Sequence, residues 1–352
     1  MSRDSRNLRS VLAATGLLLA GAAPIALGAE PVVEPLERSA IEIRNPQGAF
    51  MIGAAKAGST IVAVGERGLA LLSDDNGQSW RQGAVPVSTG LTAVRFANAK
   101  EGMAVGHAGV VLGTSDGGET WQLLLDGRRA AELALAAAEK RGDERAIWEA
   151  RRLVDEGPDK PFLDVLLQSP ERAIVVGAYG LAFETRDGGE SWQPIMDRMA
   201  NPEMSHFYAI RQRGSRVVAV GERGLVTLSD DNGVTWEQIV TPYNGSFFTV
   251  ELPSGKDILA AGLKGNIWYS ENSGGLWEPL PSQIDASITS SRLLPSGDVM
   301  LGNQAGLLLK LNGGRLVPAN EQRFSPINTF VPAGDRLVVL TMEGIRLAAT
   351  DR

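Results

Sequence analysis

Four aspartates in this 352-residue chain, Asp75, Asp116, Asp187 and Asp231, each sit two residues before a glycine and five before a tryptophan, in the pattern Ser/Thr-x-Asp-x-Gly-x-Ser/Thr-Trp. Carboxylates could act as the acid and base of glycoside hydrolysis if two of them met across one groove. Arginines such as Arg67 and Arg223, each eight residues before its aspartate, could hold an anionic group. The chemistry depends on convergence, so the elements that carry these residues decide it.

The stretch GERGLALLSDDNGQSW from Gly65 returns as GERGLVTLSDDNGVTW from Gly221. Related copies begin at Gly106, Gly177 and Gly262, and weaker ones at Gly302 and Thr341. The starts lie 39 to 44 residues apart, except for one interval of 71 between Gly106 and Gly177. Self-similarity at that period marks one supersecondary unit per copy. In the second copy LTAVRFA alternates, EGMAVG closes on a Gly-x-x-Gly turn, VVLGT leads into SDGGE, and TWQLLL ends the unit. That reads as four short strands. Sheets of this kind repeated radially make a propeller, and seven starts predict an all-β, seven-bladed β-propeller of four-stranded blades. The last copy stops soon after its third strand, and the segment from Pro31 to Asn45 is free to supply the missing outer strand.

A ring places its repeated residues about 50° apart around the rim, which argues against convergence of the aspartates. The alternative role is local. An Asp in this setting accepts hydrogen bonds from its own turn, the glycine takes a backbone conformation other residues resist, and the tryptophan plugs the gap between sheets. The structural set is Asp75 with Trp80, Asp116 with Trp121, Asp187 with Trp192, Asp231 with Trp236, and Asn272 with Trp277, with Asn312 as a weaker version.

The long interval holds a helical insertion, residues 127–160, between blades 2 and 3. RRAAELALAAAEKR is alanine-rich, Gly142 stops it, and Asp143 can cap a second helix, DERAIWEARRLVDE, that ends at Gly157-Pro158. Ile147, Ala150 and Val154 fall on one face of the second helix, which predicts burial against the first helix or the propeller, with Trp148 beside them. The charges of the hairpin are mixed in sign, unlike a lipid anchor.

The Gly-x-x-Gly turns and the hairpin fall on the same end of the ring, opposite the Asp-box turns. That end gathers Arg67, Tyr179, Arg223 and Lys264 around one opening, with Trp148 nearby, and Arg and Tyr are enriched at binding hot spots. These five are the expected partner-binding residues.

Composition narrows the class. The chain is 43% hydrophobic and 21% charged, has 41 glycines, and carries a net charge of −7, a poor match for nucleic acid. Residues 1–29 combine Arg3, Arg6 and Arg9 with the apolar run Val11 to Leu27 and small residues at Gly28 and Ala29, the pattern of a cleaved export signal. The remainder, residues 30–352, is then a periplasmic or secreted propeller with no direct membrane insertion. With no cysteine there is no disulfide and no thiolate metal site, and His107 and His206 show no ligand spacing. No metal or cofactor is expected.

These motifs resemble the Asp boxes of BNR-repeat propellers, found in sialidases and in the YCF48 family of photosystem II assembly factors. The paired Gly-x-x-Gly, the DGG and DNG variants and the seven copies are closer to the YCF48 branch than to sialidases. The resemblance implies a non-enzymatic scaffold that helps a membrane complex assemble. It also implies a partner in the envelope, with RND-type exporters among the associations of non-photosynthetic relatives. The alternative is a glycoside hydrolase working at the central face, for which Asp164 and Glu251, both in axis-facing first strands, are the available carboxylates.

Overall fold

The computed structural model describes residues 33–349 apart from 283 and 313, so the export-type segment 1–29 lies outside the described residues. Seven antiparallel sheets follow one another along the chain, six of four strands and the seventh of three among the described residues. Their first strands are Met51–Ala57, Leu91–Phe96, Phe162–Leu167, Phe207–Arg213, Phe247–Glu251, Ile288–Leu293 and Ile327–Ala333. We number the blades 1 to 7 in that order.

Second and third strands are short and wholly or largely apolar, as in TIVAVG of blade 1, because they are covered on both faces by neighbouring blades. Seven hydrophobic clusters result, one at each seam between blades. The seam of blades 3 and 4, for example, packs Ile174 and Val176 against Ile210 and Val217. Each tryptophan of the repeat fills the seam with the preceding blade: Trp121 lies among Val62, Leu72 and Leu112, and Trp277 among Val218, Leu228 and Ile258.

The ring closes differently from the sequence expectation. Residues 33–45 form no strand, and blade 7 stays three-stranded. The segment instead runs beside the exit of blade 1: Ala40 N donates to Val85 O at 3.0 Å, Ser88 N to Pro35 O at 2.8 Å, and Gln82 Nε2 to Ile41 O at 2.9 Å. Pro35 lacks the N–H a ladder needs, and the backbone groups of Ala40, Ile41 and Ile43 are already engaged by Val85 and Gln82 of blade 1. Closure comes from packing, with Val331, Val338 and Leu340 of blade 7 against Met51, Ile61 and Leu71 of blade 1, and from Asn328 Nδ2 donating to Met51 O at 2.8 Å. The free edge, Gly344–Ala349, presents exposed Arg346, a charge that discourages edge pairing.

The insertion is the expected hairpin of α1 (Gly127–Arg141) and α2 (Glu144–Glu156). Asp126 and Asp143 cap them, accepting from Arg129 N at 2.9 Å and Ala146 N at 3.1 Å, and Gly142 ends α1 in the left-handed conformation at φ 70°. Ala130, Ala134 and Ala138 let α1 lie close on blade 3. The inner face of α2 is Ile147, Ala150 and Leu153. Val154, expected inside, is 43% exposed, because the stripe advances by three residues rather than four at that turn.

Asn312 also departs from expectation. It ends the third strand of blade 6 and pairs with Arg315 in a tight hairpin, so no Asp-box turn forms there.

Candidate partner-binding face and axial tunnel

The Asp boxes share one hydrogen-bond plan. In blade 1, Asp75 accepts from Ser73 Oγ at 2.8 Å, Gln78 N at 3.0 Å, Ser79 N at 2.9 Å and Ser79 Oγ at 2.5 Å. Ser73 Oγ in turn accepts from Gly77 N at 2.7 Å, and Trp80 Nε1 donates to Gly77 O at 3.2 Å. Blades 2, 3 and 4 repeat the carboxylate cage with Asp116, Asp187 and Asp231. Asn272 keeps the bonds from Ser270 Oγ and Leu276 N. Hydrogen bonds from Ser79 and Ser73, and from Ser191 and Thr185, hold Asp75 and Asp187 down at about 2. For Asp116 burial pushes upward, but the bonds from Thr120 and Thr114 outweigh it and the net shift is down. Such groups stay ionised and saturated within their own turns, spread one per blade.

The opposite end is built by the Gly-x-x-Gly turns. In blade 4 a Cβ on Gly221 would lie 1.9 Å from His206 O, and one on Gly224 would lie 1.9 Å from Tyr243 O, the link leaving the blade. The motif therefore marks where two backbone segments cross tightly, and the second glycine also takes φ 70°. Between the glycines sits an L-residue in the left-handed region: Arg67 at φ 56°, Ala108 at 57°, Tyr179 at 54°, Arg223 at 53° and Lys264 at 54°. That conformation costs about 1–2 kcal/mol for a residue with a Cβ, and it throws the side chain outward.

Arg67, Arg223 and Lys264 are exposed, and their side chains make no hydrogen bond or ion pair among the described residues. Tyr179 is 46% exposed, with the Lys160 ammonium 5.3 Å above its ring and His206 edge-on at 4.8 Å. Leu263 and Met342, from the same turns, also face solvent. Neither is among the five partner-binding residues expected from the sequence.

The hairpin shares this end. Gly109 of the blade 2 turn meets Gly127 so closely that a Cβ would sit 2.6 Å from its Cα. Arg145 reaches Pro202 O, and a cleft of about 330 Å³ opens between α2 and blade 3, floored by Ala138, Leu153, Leu181 and Met196 and edged by Arg141 and Asp197. Trp148 points away from the ring, 60% exposed, with the Arg152 guanidinium stacked 5.3 Å from its ring.

An axial tunnel of about 360 Å³ runs between the first strands. Each first strand bulges at its second residue, and Ile52, Leu163, Tyr208 and Phe248 form the apolar part of a collar that Thr92, Thr289 and Asn328 complete. Phe207 pairs with Gly221, so the collar lies at the turn end. Tyr208 and Phe248 meet edge to face at 5.2 Å, extending the aromatic run Tyr179–His206–Tyr208 inward. Deeper in, Asp164 is gripped by Arg95 at 2.9 Å and by Arg211, and also accepts from Val165 N and Ile210 N. Burial opposes its charge, yet the two guanidinium groups hold it below the usual carboxylate range. Glu251 accepts from Ser291 Oγ at 3.0 Å and lies 3.7 Å from Arg211. Among the described residues no three of His, Asp and Glu are placed to hold a metal ion.

Residues 143–299 match the family model described as photosynthesis system II assembly factor YCF48. Over that stretch the chain is similar to the YCF48 family. Among solved structures it is similar to YCF48 bound to D1 peptide, with TM-score 0.64 and 18% identity over 89% of this chain and 99% of that one. YCF48 from Cyanidioschyzon merolae gives TM-score 0.62 and 15% identity over 87% and 97%. An ancestral GH74 enzyme gives 0.61 and 13% over 90% of this chain and 45% of its own, so the architecture also carries enzymes. Among curated proteins none matches.

Proposed function

We propose that this chain is a non-enzymatic, protein-binding assembly scaffold that docks an envelope membrane protein or complex through its turn face and helical hairpin. The observation that carries this reading is the set of left-handed turns that hold Arg67, Tyr179, Arg223 and Lys264 outward on one rim, the three cations unpaired among the described residues, with Leu263, Met342 and Trp148 exposed around them. Strained positions that keep a large side chain point to use of that side chain. The YCF48 relative solved with D1 peptide supports a peptide-binding role for such a propeller. The partner chemistry that fits is acidic and apolar together. The export-type pattern of residues 1–29 supports work in the periplasm, with secretion the other destination, and an RND-type exporter is the first partner to test.

The glycoside hydrolase reading fares worse on one observation. A general acid must hold a proton and a nucleophile or base needs a free oxygen, whereas each oxygen of Asp164 is taken up by a guanidinium and a backbone N–H.

The test is co-purification from solubilised envelope with tagged wild-type protein, Arg223→Glu, and a hairpin deletion that joins Asp126 to Asp159 through a short glycine linker. Arg223→Glu should weaken association by about 1 to 4 kcal/mol with little change in melting temperature, and the deletion should abolish it. Wild-type yield of the same partners from both variants would overturn the reading.

A further inference from the structure

The five charged side chains lining the tunnel are Arg95, Arg211, Arg292, Asp164 and Glu251, three cations against two anions. The surplus falls on Arg292. Its guanidinium donates to Phe330 O at 3.0 Å and Ala54 O at 3.2 Å and has no carboxylate within ion-pair distance among the described residues. Burial, then the nearby charge of Arg95, pulls it down to about 10, so it remains a cation at neutral pH.

A guanidinium carries five N–H donors. Arg95, Arg211 and Arg292 each make two hydrogen bonds to protein acceptors, which leaves three on each without one among the described residues. Asp164 cannot take them, since both its oxygens already accept from an arginine and a backbone N–H. Ser290, on the same wall, has a buried hydroxyl with no partner. A recessed site, with the Arg95 and Arg211 side chains 28% and 23% exposed, that holds one uncompensated positive charge and surplus forked donors is a receptor for a group that brings negative charge and several acceptor atoms.

We infer that the axial tunnel binds an oxyanion, a carboxylate or phosphate group, between Arg95, Arg211 and Arg292, entering past the Tyr208–Phe248 collar. The site is separate from whatever docks on the outer rim, and a channel of this size selects a small anion or the end of a chain.

Isothermal titration of the full chain with inorganic phosphate and with succinate, at constant ionic strength in chloride, tests this. Saturable binding of one equivalent of either probe is expected, and the tighter of the two identifies the group. Arg292→Gln should weaken it about tenfold by removing a forked charged donor. Glu251→Gln should tighten it about threefold by removing a competing negative charge. The opposed signs separate a specific site from general screening. No saturable binding of either probe up to about 20 mM, a Kd too weak to matter at cellular anion levels, would overturn the inference. So would a Glu251→Gln protein that folds and binds as the parent does, which keeps the test decisive even if Arg292→Gln fails to fold.

Discussion

Replacing Asp116 by alanine removes the acceptor for Thr114 Oγ1 at 2.8 Å, Thr120 N at 3.0 Å and Thr120 Oγ1 at 2.6 Å. The three losses are unequal. Thr120 is exposed, so its two donors return to water, and the net loss there is about 0.5 kcal/mol. Thr114 is buried, and its hydroxyl oxygen already accepts from Gly118 N at 3.0 Å, so its proton has no other acceptor and costs about 1–2 kcal/mol. The sum is about 2 kcal/mol. At roughly 2.1 cal/mol/K per residue over about 300 residues, that lowers Tm by about 3 °C. Asp116→Asn should lose less, because Asn272 already fills the same place in blade 5 with two of the bonds. Scanning fluorimetry and urea titration read both variants, alongside partner co-purification at a temperature where both are folded. An Asp116→Ala protein with unchanged Tm and no partner binding would refute the assignment of the box to folding.

Gly224→Ala should fail to give soluble ring, or lose more than about 3 kcal/mol, since strain at φ 70° adds to a Cβ 1.9 Å from Tyr243 O; normal expression and melting would count against the crossing-point reading of the motif. Deleting residues up to Asn45 should leave a monomer on size exclusion with only a modest fall in Tm, because residues 33–45 form no strand; aggregation would show that the segment guards an edge after all. Asp75 and Asp187 titrate near 2 in the folded chain against 3.8 otherwise, so their stabilisation is complete above the unfolded value and drains away as pH falls from about 4 towards 2. Tm should therefore be flat from neutral pH to about 5 and drop below 4, and Asp187→Asn should show a shallower drop in a pH-dependent melt.

The blade count was legible because the repeat is written out five times in nearly full form, and its hydrogen bonds are local. Ring closure was not, because it depends on surfaces nearly 290 residues apart, Met51 and Leu340, whose types are unremarkable apolar ones. The tunnel arginines were passed over for a different reason. Each looks like one charge in one strand, yet aligning LTAVR, FYAIR and ITSSR from Leu91, Phe207 and Ile288 puts Arg95, Arg211 and Arg292 at the same fifth position, with Glu251 there in FFTVE. Asp164 and Glu251 stood out as bare carboxylates because their arginine partners lie one blade away rather than nearby in sequence.

Six of the seven seams are spanned by a covalent linker, while the one between blades 7 and 1 is held, among the described residues, by side chains alone. The flanking blades keep its two halves at high effective concentration, so it recloses quickly after any opening. It is still the place where the ring can come apart without breaking a linker's path, a hinge line set by chain topology rather than by weak packing. Amides of Met51–Ala57 and Arg336–Thr341 then exchange through a partial opening that spares blades 3 to 5, and a circularly permuted chain would move that hinge line to whichever linker was cut.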